Sequence, residues 1–109
     1  MYKKGTVVLV PFPFTDLSGN KVRPALIVSD GKVGSDVVVV FITSQPKSKG
    51  EYLVSLKPSA ENGLKVPSQV VCAKLATLDT KIILGELGTL DPADITIVDN
   101  TIRQVLKLT

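Results

Sequence analysis

The chain has 109 residues, of which 44% are hydrophobic and 21% charged; that length suits one domain spanning residues 1–109, and that apolar content excludes a largely disordered chain. It contains no His and one Cys, Cys72. Imidazole acid–base chemistry, a Cys/His zinc site and an intramolecular disulfide are thereby excluded.

The formal net charge is +3, and eight of the 13 basic residues lie within residues 1–57, beside only four of the ten acidic ones. A basic first half points to a polyanionic partner. A single thiol fits a reducing compartment. Lys3 and Lys4 precede the apolar run Thr6 to Val10, but that run is too short for a signal peptide and Pro11 ends it. The longest unbroken apolar run, Val37 to Ile42, is far below a membrane span. The expectation is a soluble cytoplasmic protein.

Short runs of Val, Ile and Leu broken by Gly, Pro, Asp and Ser predict strands at Thr6–Pro11, Arg23–Ser29, Val37–Thr43, Tyr52–Leu56, Gln69–Leu75 and Ile82–Gly85. Turn chemistry marks residues 15–20, 30–35 and 61–63, and residues 45–50 form a polar, basic connection. The period then changes. Ile95, Val98, Ile102, Val105 and Leu106 share one helical face. Asp91 fits the N-cap, Pro92 the first helical position and Asp94 the third, predicting a helix from Pro92 to near Lys107. The fold class expected is mainly β, a small barrel of five to seven short strands with a C-terminal α-helix packed on it. Several strands are apolar on both faces, which calls for barrel closure, a covering helix or a partner subunit.

Strands Arg23–Ser29 and Val37–Thr43 should form an antiparallel hairpin. If its loop is symmetric about Val33, Ser29 faces Val37, Ile27 faces Val39, Ala25 faces Phe41 and Arg23 faces Thr43. Opposed residues share a sheet face with Cβ atoms roughly 5 Å apart, so a guanidinium and a hydroxyl meet at the open end. An arginine fork can hold two phosphate oxygens, and a hydroxyl can donate to a developing oxyanion. The plainer readings are a solvated arginine before a proline and a strand-forming threonine. Cys72, within Val70-Val71-Cys72-Ala73, reads as buried filler, Phe41 as core, and Arg103 as an exposed charge at the helix end.

Val8-Leu9-Val10-Pro11-Phe12-Pro13-Phe14-Thr15-Asp16, then Lys21-Val22-Arg23-Pro24-Ala25-Leu26-Ile27-Val28-Ser29, then Ile42-Thr43-Ser44-Gln45 resembles the MazF/PemK family of type II toxin–antitoxin toxins. Gly63-Leu64, Thr77-Leu78-Asp79 and the terminal helix continue the likeness over nearly the whole chain. The resemblance implies an SH3-like barrel, usually a homodimer. It also implies metal-independent, sequence-selective cleavage of single-stranded RNA with no cofactor. The 2′-hydroxyl attacks its own phosphodiester, leaving a 2′,3′-cyclic phosphate and a 5′-hydroxyl. The implied partner is an antitoxin with a disordered acidic tail, and Arg23 and Thr43 match the catalytic pair. The sequence departs from the family at Ala76, where many members carry an arginine; Lys74 and Lys81 lie nearby but lack the fork.

Such chemistry needs the nucleotide held in line and the pentacoordinate dianion stabilised. Arg23 suits the charge and Thr43 a hydrogen bond to it, while Asp16, Asp79 or water are candidates for the base. Single-stranded RNA is read by stacking and by contacts to base edges. The RNA-binding candidates are accordingly Phe14 as platform, with Asp16, Ser18, Asn20, Lys21, Ser44, Gln45 and Asp79; Phe12 and Phe14 could instead plug the barrel end. Two alternatives stay open: a non-catalytic toxin of the same fold, such as a CcdB-like gyrase inhibitor, and an RNA-binding barrel without activity. A gyrase poison would not need the Arg23 and Thr43 pair.

Overall fold

The computed structural model describes residues 2–12, 21–31, 34–44 and 52–108. Among these run six strands and one helix: β1 (Thr6–Phe12), β2 (Lys21–Ile27), β3 (Asp36–Thr43), β4 (Leu53–Leu56), β5 (Ser68–Asp79), β6 (Gly85–Thr89) and α1 (Pro92–Leu106). All pairings are antiparallel, in the order β4-β5-β3-β2-β1-β6.

Both faces of this sheet bury apolar side chains. Val7, Leu26, Val40, Ile42, Val70 and Cys72 lie on one face, in a core completed by Val98, Ile95, Ile102 and Val105 of α1. Val8, Val10, Ala25, Ile27, Val37 and Val39 lie on the other, packed with Leu78 and against Tyr2, Ile82 and Ile83. Strict alternation sends odd residues of β2 and β3 to this second face. A partner subunit is therefore not needed to bury the doubly apolar strands. The helix covers one face, and Tyr2 with the 3₁₀ turn Thr80–Ile82 and its successor Ile83 packs on the other.

The sheet curls until the segment after β4, at one edge, meets β6, at the other. Thr89 N–H donates to Glu61 O at 2.7 Å. Asn62, buried, holds that segment: its Oδ1 accepts from Ser59 N–H and Leu64 N–H, and its Nδ2 donates to Lys57 O. Gly63 has φ +71°, and a Cβ there would strike the Leu87 carbonyl. The Gly63-Leu64 motif is thus explained by closure of the barrel, with only glycine fitting the left-handed, crowded position.

The helix starts as its sequence predicts. Asp91 is the N-cap and accepts from Asp94 N–H at 2.8 Å, with Pro92 following. Burial and the Asp91 carboxylate hold the Asp94 carboxyl above its ordinary value. Leu106, by contrast, is 49% exposed and stands off the core. Lys107 ends the helix in the left-handed conformation.

Three expectations need correction. The strand expected at Ile82–Gly85 is instead the 3₁₀ turn followed by β6 at Gly85–Thr89. Ile82 and Ile83 cover the second face rather than extend the sheet. β5 runs four residues past its expected end at Leu75, to Asp79. Its register against β3 jumps from Val40↔Leu75 to Phe41↔Val71, a bulge over residues 72–74. Finally, Ser29 does not pair with Val37; its Oγ accepts from Val38 N–H and donates to Gly31 O, ending β2 at Ile27.

Candidate active site

The β2–β3 register is the expected one. Ala25 pairs with Phe41, Leu26 with Val40 and Ile27 with Val39. Two residues further along each strand stand Arg23 and Thr43, on the same second face and at the same end of the sheet. The ladder itself stops at Ala25, next to Pro24, whose ring has no N–H to give. Arg23 is half-buried and pairs with Val10 of β1.

Thr43 continues into a polar row. It pairs with Gln69 of β5, and Gln69 pairs in turn with Ser55 of β4. Ser55, Gln69, Thr43 and, by continuation of the β2–β3 register, Arg23 thus cross the second face at one level. A cleft of about 300 Å³ opens there, lined by Thr43, Ser44, Ser55, Lys57, Ser68 and Gln69 among others. Ser44 is exposed beside Thr43, and Lys21 is exposed at the start of β2, two residues from Arg23. Arg23 stands beside that cleft and is not part of its lining, and the arrangement can hold a phosphodiester between a cation and a hydroxyl, with polar groups beside it for a neighbouring base.

Asp79 is not brought to this end. It pairs with Asp36, seven residues from Thr43 on β3, roughly 23 Å along the strand. There its Oδ1 accepts from Lys81 N–H at 2.9 Å, capping the 3₁₀ turn. Ala76 pairs with Val39, on the same face as Thr43 but roughly 13 Å along β3. It packs against the second core cluster, an apolar contact. Phe14, Asp16, Ser18, Asn20 and Gln45 lie outside the described residues, as does the side chain of Phe12.

Cys72 is fully buried, and burial pushes its thiol up to about 11 from its ordinary 9.0, which suits filler and not a nucleophile. Among the described residues no three His, Cys, Asp or Glu side chains gather to hold a metal ion. No described helix is long and apolar enough to cross a membrane. Gln69 and Ser55 are the site residues that sequence reasoning missed. Their signal was the alternation of β4 and β5, which becomes useful only once the β3–β5 pairing is known.

Residues 3–106 match the family described as PemK-like, MazF-like toxin of type II toxin–antitoxin system. The chain belongs to this PemK/MazF-like toxin family. No curated protein matches it by sequence. Among solved structures it is similar to a mycobacterial endoribonuclease in complex with its cognate antitoxin, at 24% identity and a TM-score of 0.79, covering 100% of this chain and 98% of that one. It is also similar to MazF from Deinococcus radiodurans, at 22% identity and a TM-score of 0.76, with 97% and 96% covered. The Mycobacterium tuberculosis toxin MazF-mt6 matches at 22% identity and a TM-score of 0.76, with 95% and 98% covered. At these identities the likeness shows the fold: a curled antiparallel sheet with one C-terminal helix is the MazF fold.

Proposed function

We propose that this PemK/MazF-like toxin is an endoribonuclease that cuts single-stranded mRNA without a metal ion. The observation that carries the reading is the placement of Arg23 and Thr43 on one face at one end of the β2–β3 hairpin. The 2′-hydroxyl oxygen attacks the adjacent phosphorus and the P–O5′ bond breaks. The products are a 2′,3′-cyclic phosphate and a 5′-hydroxyl; the proton lost by the 2′-hydroxyl balances the one gained by the leaving O5′. Arg23 stabilises the dianionic phosphorane through its N–H donors and Thr43 donates to a phosphoryl oxygen, while water takes the 2′-hydroxyl proton and returns one to the leaving O5′. Lys21 and Ser44 bind the flanking strand, together with Phe14, Asp16, Ser18, Asn20 and Gln45.

A gyrase poison would have no use for this pair, which favours the nuclease. The neighbouring structure with its cognate antitoxin supports a similar partner here, whose acidic tail would compete for the basic groups of the cleft. We read the active form as a cytoplasmic homodimer.

The test is direct. Wild type incubated with mixed single-stranded RNA in EDTA should yield fragments with 2′,3′-cyclic phosphate and 5′-hydroxyl ends, and Arg23→Ala should yield none. Intact RNA with wild type, or equal cleavage by Arg23→Ala, would overturn the reading.

A further inference from the structure

Among the described residues, the Gln69 Oε1 atom is buried and has no hydrogen-bond partner. Buried side-chain acceptors are nearly always bonded, so an idle one asks for a role. Gln69 nevertheless lines the open cleft and, as a residue, is only half-buried. The terminal torsion of a glutamine side chain is broad and roughly two-fold. A half-turn therefore breaks no hydrogen bond of the oxygen and exchanges it with the amide nitrogen, so the group can offer the cleft either an acceptor or a donor.

The surroundings define what it would meet. Gln69 sits between Thr43 on β3 and Ser55 on β4, with side chains on one face and neighbouring Cβ atoms about 5 Å apart. A nucleotide whose phosphate reaches Thr43 places an adjacent base over Gln69. The volume of about 300 Å³ lies at the low end of the roughly 300–1,000 Å³ range of small-molecule sites, which suits one base and not several. Lys57, on the rim, can take the next phosphate.

We propose that Gln69 forms a base-reading subsite that hydrogen-bonds the edge of one base next to the scissile phosphate and so sets the base preference at that position. The amide oxygen accepts from a base N–H and the amide nitrogen donates to a base acceptor, so the one side chain can pair with two atoms of a base, as glutamine does with adenine. This inference rests on the nuclease reading for its substrate class, but it concerns recognition and not the chemical step.

Two measurements test it. The first is cleavage of an RNA pool randomised around the cut site by wild type, Gln69→Leu and Gln69→Glu. Wild type should prefer some bases over others at one position by about ten- to hundredfold. Gln69→Leu should lose that preference at that position alone, and Gln69→Glu, which accepts but cannot donate, should change which base is preferred. The second is equilibrium binding of short RNAs, with a 2′-deoxy sugar at the cut site, that carry adenine, cytosine or uracil at that position. The same discrimination should appear there without turnover. If RNA is cut with the same base preference by wild type and Gln69→Leu, the subsite is overturned and the nuclease stands. If nothing is cut but binding shows a preference that Gln69→Leu removes, the nuclease falls and the subsite stands. Absence of both cleavage and base-selective binding overturns both.

Discussion

Arg23 is the side chain whose loss should cost the reaction most. Removing one preorganised donor to a developing charge typically lowers the rate about 10²–10³-fold. Arg23→Lys keeps the charge but not the planar fork, so its kcat is expected to fall by at least about tenfold while the fold is retained. Single-turnover cleavage checks this; a kcat equal to wild type would show that a point charge suffices. Cys72 gives a second prediction of a different kind. Its folded-state value is raised to about 11 from 9.0, so the folded chain holds its proton more tightly than the unfolded chain. The associated stability is present below about pH 9 and is lost as pH rises towards 11. Urea unfolding of wild type and Cys72→Ala should therefore converge over that interval. A disulfide reagent at pH 8 should label Cys72 slowly in the native protein and fully in urea.

Two elements close the barrel, and each hangs on one residue. The cap at Asp91 satisfies the Asp94 N–H, and Asp91→Ala should cost about 1 kcal/mol in urea unfolding. Gly63→Ala should cost more than that cap. It combines a positive φ, worth roughly 1–2 kcal/mol for a residue with a Cβ, with a steric clash against the backbone of β6. The same elements show what the sequence could convey. The helix was legible from Asp91 to Val105 because an N-cap, Pro92 and a 3.6-residue apolar period all agree. β2 and β3 were legible, register included, because a short connection constrains a hairpin. β6 was not. Gly85 and Gly88 are poor strand formers, and Gly88 is required because a Cβ there would meet the Glu61 carbonyl and Asn62. The apolar stretch Ile82 to Leu84 looked more strand-like, but two of its residues serve as cover for the second face.

At the scale of the molecule, the question is how a protein of modest net charge holds a polyanion. The cations must be placed, not merely numerous: Arg23, Lys21 and Lys57 stand at one end of the sheet, while Lys4 is engaged with Asp99 of α1 at 3.1 Å. Each phosphate neutralised on single-stranded RNA contributes about 0.7 to the slope of log affinity against log salt. Lys21→Gln and Lys57→Gln are each expected to lower that slope by about 0.7, without changing the base preference. Asp99→Ala, which breaks a partly exposed ion pair, should leave RNA affinity nearly unchanged and cost at most about 1 kcal/mol of stability.

The sequence by itself determined the strand-rich class, the helix and its cap, the β2–β3 register, and hence that a guanidinium and a hydroxyl share one end of one face. These are local properties: alternation, capping and a short hairpin act over a few residues, and neighbours in the chain decide them. Only the tertiary structure decided that Gln69 and Ser55 stand beside Thr43, that Asp79 and Ala76 lie far along the strand from it, and that a glycine loop seals the barrel. Those outcomes depend on pairing β3 with a strand more than twenty residues later across a three-residue bulge. Each residue of slip there reverses the face a side chain occupies, and nothing within either strand specifies the offset.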